Sequence, residues 1–134
     1  MKLLAYVSYP GTCEEALNFY KPIFRGSISE INRYDNSPMA SEESKGKVLH
    51  TEFSFGDGNT FMACDVFGQE ISSKGNITMT LATDDVSETE RIFGELSVGA
   101  TNIMPLSDTF WGAKFGMFTD KFGVNWMFNC TLPQ

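Results

Sequence analysis

The chain of 134 residues contains no apolar run long enough to span a membrane. Basic residues are few, ten Lys and Arg against seventeen Asp and Glu, leaving a net charge of −7. They are scattered from Lys2 to Lys121 without forming a run. That argues against a nucleic-acid partner, because such binders concentrate cationic groups over phosphates. Cysteine is scarce too: Cys13, Cys64 and Cys130 are far apart, odd in number and never spaced CxxC. No disulfide framework follows, and unpaired thiols in a reducing compartment are expected. Cys64 and Cys130 read as small buried hydrophobes. The opening MKLLAYVSYPG has one Lys and an apolar run too short for a secretory leader, so the expected location is the cytoplasm. A nucleophile elbow, a P-loop and a dinucleotide fingerprint are all missing.

What the chain does have is phenylalanine, twelve residues of it, within a 42% hydrophobic composition. Phe carries no polar handle, so this count implies a large core or an apolar pocket. Leu3 to Tyr9 is apolar and β-prone and is broken by Pro10-Gly11. Thr12 followed by Glu15 has the form of a capping box, and Ala16, Phe19, Tyr20, Ile23 and Phe24 recur at helical spacing, so 13–24 reads as a helix closed by Gly26. Pro22 is a blemish near its end. Strands are expected over 27–34, 47–55 and 60–65, with a polar loop over 35–46 and a Gly56–Asn59 hairpin turn. Residues 69–75 form a polar linker.

The order then repeats. A strand over 76–83 precedes Asp85-Val86-Ser87-Glu88, a second capping box, and a helix faced by Val86, Ile92, Phe93 and Leu96 that ends at Gly99. Strands over 101–105, 111–118 and 124–130 follow, the last two joined by an Asp120–Gly123 turn. Two half-chains with one grammar, neither able to bury its own sheet face, imply paired modules. The expected fold is α+β. Two βαβββ modules, about 1–68 and 75–134 of a single domain, would form a curved, mostly antiparallel sheet around a cleft, with helices on the outer face.

This two-module pattern resembles the vicinal oxygen chelate superfamily, which includes glyoxalase I, extradiol dioxygenases and bleomycin-resistance proteins. The run from Pro105 through Phe110-Trp111-Gly112 to Gly116, then Thr119-Asp120-Lys121-Phe122-Gly123-Val124-Asn125-Trp126, is similar to the PhnB-like branch. So are Cys13-Glu14-Glu15-Ala16 with Phe19-Tyr20, and Met62-Ala63. Some members of that branch carry the label 3-demethylubiquinone-9 3-methyltransferase, yet no glycine-rich strand-to-helix turn for S-adenosylmethionine is present. Metal-dependent members of the superfamily use two ligands per module on the cleft face. The resemblance places those positions at Ala5, Ala63, Asn76 and Met127; a slip of one residue gives Leu4, Tyr6, Met62, Cys64, Trp126 and Phe128. Neither set supplies the carboxylate and imidazole donors a divalent cation needs. No cofactor is expected, and a divalent metal is disfavoured.

Period-two alternation puts Val48, His50, Glu52 and Ser54 on one face of their strand. Asn76, Thr78, Thr80 and Ala82 share the cleft face of theirs, with Ile77, Met79 and Leu81 toward the helix. Asn125, Met127 and Asn129 share the matching face of the last strand. His50, the single histidine, is a candidate base with Glu52 as its orienter. The bland alternative is a packed interface histidine. Phe110, Trp111, Phe115 and Phe67 are candidate walls of an apolar pocket, although aromatics at strand spacing more often form core. Asp108 is a candidate ligand contact, Asp120 a turn cap, and Cys13 a thiol at a helix start.

Three readings follow. The first is a metal-independent binder of a small apolar or aromatic molecule, contacted by Asn76, Thr78, Asp108, Phe110, Trp111, Phe115 and Met127. The second is a glyoxalase-like enzyme (lyase, isomerase or dioxygenase) using His50 and Glu52, with or without a metal. The third is a dimeric interaction protein with no ligand. A homodimer is implied by the resemblance; nucleic-acid and membrane partners are not expected.

Overall fold

The computed structural model describes residues 1–72 and 75–133; Ser73 and Lys74, in the expected linker, and Gln134 lie outside the described residues. The chain divides into two units, Met1–Ile71 and Ser72–Gln134. Each has its own sheet and its own helix.

In the first unit, β1 (Tyr6–Tyr9) leads into α1 (Cys13–Phe24), followed by β2 (Ser27–Ile28), β3 (Asn32–Arg33), β4 (Val48–Phe55) and β5 (Asn59–Asp65). The sheet order is β1-β5-β4-β2, with β3 also pairing β4. β1 runs parallel to β5, and the other pairs are antiparallel. Ala16, Leu17, Tyr20, Ile23 and Phe24 form the buried stripe of α1, the i, i+3, i+4 spacing of an amphipathic helix. The Tyr20 ring sits edge-on to Phe24, Phe53 and Phe61, with centroids 6.1–6.4 Å apart. α1 ends on Arg25 in the left-handed region, at φ 51°. Gly26 is required for a different reason: a Cβ there would lie 2.6 Å from Phe53 Cζ and 2.8 Å from the Ser54 carbonyl oxygen.

The strand expected over 27–34 is two short pieces. Ser29 accounts for the interruption: its Oγ accepts the Glu52 N–H at 2.9 Å and lies 3.2 Å from Thr51 Oγ1. A side chain thus takes a ladder position that a backbone carbonyl would fill. Tyr34–Asn36 then turns as a 3₁₀ helix. The Thr12 cap is also corrected. Thr12 makes no side-chain cap bond. The first amide of α1, Cys13 N–H, is bound at 2.8 Å by Asp65 Oδ1 from the end of β5.

The second unit repeats the plan with β6 (Met79–Thr83), α2 (Val86–Leu96), β7 (Thr101–Asp108), β8 (Ala113–Thr119) and β9 (Asn125–Thr131). Its order is β6-β9-β8-β7, with β6 parallel to β9. Asp85 caps α2 as the sequence suggests, its carboxylate accepting Glu88 N–H at 3.0 Å. Glu88 does not reach back to complete the box; its carboxylate pairs with Arg91. Phe93 of α2 packs edge-on against Phe118 and Phe128 at about 5 Å. Pro105 is accommodated because β7 is an edge strand. Register shifts lie on both sides of Met104. Ile77, expected on the helix side, precedes β6 and is 73% exposed.

The α+β class stands, with one helix on one face of each sheet. Strand pairing is mostly antiparallel, as expected, with one parallel pair in each of the two hydrogen-bonded sheets. No helix among the described residues is long and apolar enough to cross a membrane.

Candidate functional site

Register decides which side chains each helix leaves uncovered. In the first sheet, Phe53 pairs with Phe61 and Thr51 with Ala63. Phe53 and Phe61 lie against Tyr20 of α1, so Thr51 and Ala63 share the helix side, where both are fully buried. The opposite face carries Tyr6, Met62 and Glu52 in one rung, and Ser8 and Cys64 in the next. His50, two residues before Glu52, belongs to this face as well. A single-residue shift moves every side chain across the sheet. The face away from the helix therefore offers Cys64 where the aligned position is Ala63, and Tyr6 where it is Ala5.

His50 and Glu52 share a face, but the partner given to His50 is Tyr6. The Tyr6 hydroxyl and His50 Nδ1 are 2.9 Å apart, with ring centroids at 5.6 Å. Burial pushes the Tyr6 phenol up to about 12, with nearby Cys64 adding to the rise. Ser8 Oγ lies 3.8 Å from Cys64 Sγ. Cys13, at the helix start, gets no thiolate stabilisation: burial and the Asp65 charge push its thiol up. Asp65, 1% exposed, spends its oxygens on Cys13 N–H and on Val48 N–H at 2.9 Å. It ties the starts of α1 and β4 to the end of β5. Arg33 grips Glu14 with two bonds of 3.0 and 3.1 Å, holding that carboxyl below its ordinary range.

In the second sheet, Thr80 pairs with Met127, Met127 with Met117, and Met117 with Met104. Phe115 pairs with Asn129, and Thr119 with Asn125. Phe93 packs on Phe118 and Phe128, of opposite parity. The face away from α2 thus runs from Thr119 and Asn125, through a central row of Met127, Met117 and Met104, to Phe115 and Asn129. At one end a cavity of about 420 Å³ is lined by Thr78, Asn102, Met104, Met117, Thr119 and Asn125, among others. Thr119 Oγ1 donates to Asn125 Oδ1 at 2.7 Å, which fixes that amide. Asn102 holds a left-handed backbone at φ 53° beside the β7 register shift. Such conformations concentrate where surrounding structure enforces them at functional positions. At the other end Trp111 donates to Asn129 Oδ1 at 3.3 Å, edge-on to Phe115 and Phe110.

The seven expected contacts divide accordingly. Thr78 lines the cavity, and Met127 sits in the rung beside it. Trp111 and Phe115 form the far end of the same face. Phe110 is 97% exposed and touches Trp111. Asp108 is bound by Lys114 Nζ at 2.9 Å. Asn76 precedes β6 and is exposed. Met104, Met117 and Asn102 escaped the sequence reading. β7 was expected to stop at Pro105, and nothing local marks Asn102 for positive φ. Asp120 caps its turn as read, accepting from Phe122 and Val124 N–H and from Trp126 Nε1.

The donor chemistry does not suit the superfamily's divalent ion. Among the described residues no three His, Cys, Asp or Glu side chains converge as a metal site. Nor do the strand-to-helix turns suit S-adenosylmethionine: Pro10-Gly11-Thr12 and Asp84-Asp85 are not glycine-rich.

A family described as 3-demethylubiquinone-9 3-methyltransferase matches residues 1–128. The structure of protein PA1353 from Pseudomonas aeruginosa is 32% identical over 99% of both chains, with a TM-score of 0.87. The PhnB protein of Bacillus cereus is 29% identical over 99% of this chain and 100% of its own, with a TM-score of 0.79. A glyoxylase/bleomycin resistance protein/dioxygenase domain from Frankia sp. shares the fold at a TM-score of 0.68 and 9% identity, covering 98% of both chains.

Proposed function

Because the chain belongs to the 3-demethylubiquinone-9 3-methyltransferase family, in the PhnB-like branch of the vicinal oxygen chelate superfamily, we propose that it is a metal-independent binder of a small apolar or aromatic molecule. The observation that carries this reading is the cavity of about 420 Å³ on the α2-free face of the second sheet. Its size is that of a drug-sized ligand site. Met104 and Met117 give it a soft, adaptable apolar wall, and Thr78, Thr119 and two asparagines give it uncharged polar groups. Such a lining suits a neutral molecule with an apolar body. The aromatic end at Trp111 and Phe115 extends the same surface. The lack of a convergent donor set among the described residues supports binding without a metal.

The test uses N-phenyl-1-naphthylamine, a neutral aromatic fluorophore, titrated into the full chain with and without EDTA. Saturable binding indifferent to EDTA, and weakened at least tenfold by Met117→Glu, is the expected result. Absence of saturable binding, or its loss on chelation, overturns the proposal.

A further inference from the structure

Sulfur is divided unevenly between shelter and exposure. Cys13 and Cys130 are wholly buried, and Cys64 keeps 9% exposure. Burial and the Asp65 charge hold the Cys13 thiol above its ordinary range, away from the reactive thiolate. The well-exposed sulfur-bearing side chains are methionines. Three of the seven, Met104, Met117 and Met127, form one cross-strand row on the face away from α2. Met104 lies on the edge strand β7 at 49% exposure, and Met117 and Met127 are half-buried. Met104 and Met117 both line the cavity of about 420 Å³, and no cysteine among the described residues lines it with them. Met1 and Met39 are exposed as well, but neither lines the cavity. A small oxidant that enters the cavity therefore meets thioethers and no thiol.

We propose that Met104 and Met117 are a reversible sulfoxidation site, at which a hydroperoxide closes the cavity to apolar ligands. The inference rests on the cavity being a ligand site. The thioether lone pair attacks the terminal peroxide oxygen, and the S–O bond forms as the O–O bond breaks. The proton on the transferred oxygen passes to the departing one, which leaves as water or an alcohol. Sulfur is oxidised by two electrons and the peroxide is reduced by two. A thiol-dependent sulfoxide reductase reverses the change, releasing the oxygen as water while two thiols become a disulfide. Each sulfoxide replaces a flexible apolar group with a polar one. Its oxygen accepts a hydrogen bond and donates none, so covering it with an apolar ligand costs desolvation. Both residues belong to one cavity wall, so two insertions remove the soft apolar surface on which such a ligand depends.

The full chain is treated with hydrogen peroxide, quenched with catalase, mapped by peptide mass spectrometry and titrated with N-phenyl-1-naphthylamine. Met104 and Met117 should each gain one oxygen. Affinity should fall at least about fivefold, part of what burying a Met side chain contributes. Methionine sulfoxide reductases A and B, one for each sulfoxide epimer, should restore it with dithiothreitol. Met39→Leu should show the same fall. In the double variant Met104→Leu, Met117→Leu, treated and untreated affinities should agree within about twofold whatever the starting value, because Leu keeps the volume without an oxidisable atom. The reductase arm uses only the native chain, which keeps the test intact if the double variant melts early by circular dichroism. No binding before treatment would fell the ligand-site reading, and this inference with it. Where untreated protein binds, three results overturn the sulfoxidation site alone. They are unchanged affinity with both residues oxidised, a fall that the reductases fail to reverse or that the double variant shares in full, and resistance of both residues under conditions that convert Met39.

Discussion

Asp65 offers the sharpest test of how the first unit is held together. It is 1% exposed, and its two oxygens accept Cys13 N–H at 2.8 Å and Val48 N–H at 2.9 Å. Hydrogen bonds to a charged group contribute about 1.5–3 kcal/mol each, and a buried N–H left unmatched carries its own desolvation cost. Asp65→Ala removes both bonds but also relieves the burial of a carboxylate. The net loss should be about 3 kcal/mol, a large share of the ordinary total of about 5–15 kcal/mol. Thr12→Ala is the control, because Thr12 occupies the cap position without making a cap bond. A working Thr cap would cost about 1 kcal/mol on removal, and here the loss should stay below about 0.5 kcal/mol. Urea denaturation followed by far-ultraviolet circular dichroism, with m unchanged, reads both. A loss under about 1 kcal/mol for Asp65→Ala, or equal losses for the two variants, refutes the reasoning.

Other outcomes follow from single contacts. Gly116→Ala would place a Cβ 2.9 Å from Phe93 and 3.0 Å from the Met104 carbonyl oxygen, so it should cost about 1–3 kcal/mol, read as a lower Tm. Tyr6 ionises near 12 in the folded chain and near about 10 when unfolded, so its contribution is complete below about pH 10 and lost as pH rises through 12. Wild type should therefore lose stability more steeply than Tyr6→Phe across that window, and the variant should lack one tyrosinate absorbance step near 12. Asp108→Ala breaks an exposed pair with Lys114 and should cost less than about 1 kcal/mol, leaving N-phenyl-1-naphthylamine affinity within about twofold.

Much of the fold was legible because its signals are local. The stripe from Ala16 to Phe24 gives α1 its span, and the Gly56–Asn59 and Asp120–Gly123 turns fall between the strands they join. The likeness of the two half-chains reappears as the shared orders β1-β5-β4-β2 and β6-β9-β8-β7. What was not legible is set by long-range partners. Thr12 looked like the cap because it is adjacent in sequence, yet the Cys13 amide is bound by Asp65, 52 residues beyond Cys13. Ser29 interrupts a strand through its contact with β4, which alternation cannot show. The same limit governs the sites. Period two placed Thr80 and Met127 on one face, and β-pairing joins them. Between Ala63 and Cys64, only the Phe53–Phe61 register tells which faces away from α1. Tyr6 is marked as His50's neighbour only by its hydroxyl contact across strands β1 and β4. Asn102 is shaped by a register shift that no local residue pattern announces.

Native mass spectrometry of the purified full chain, paired with elemental analysis, bears most directly on metal-independent binding. The account predicts protein free of stoichiometric divalent metal that retains N-phenyl-1-naphthylamine binding after exhaustive chelation. One equivalent of a transition metal, whose removal abolishes that binding, would contradict it.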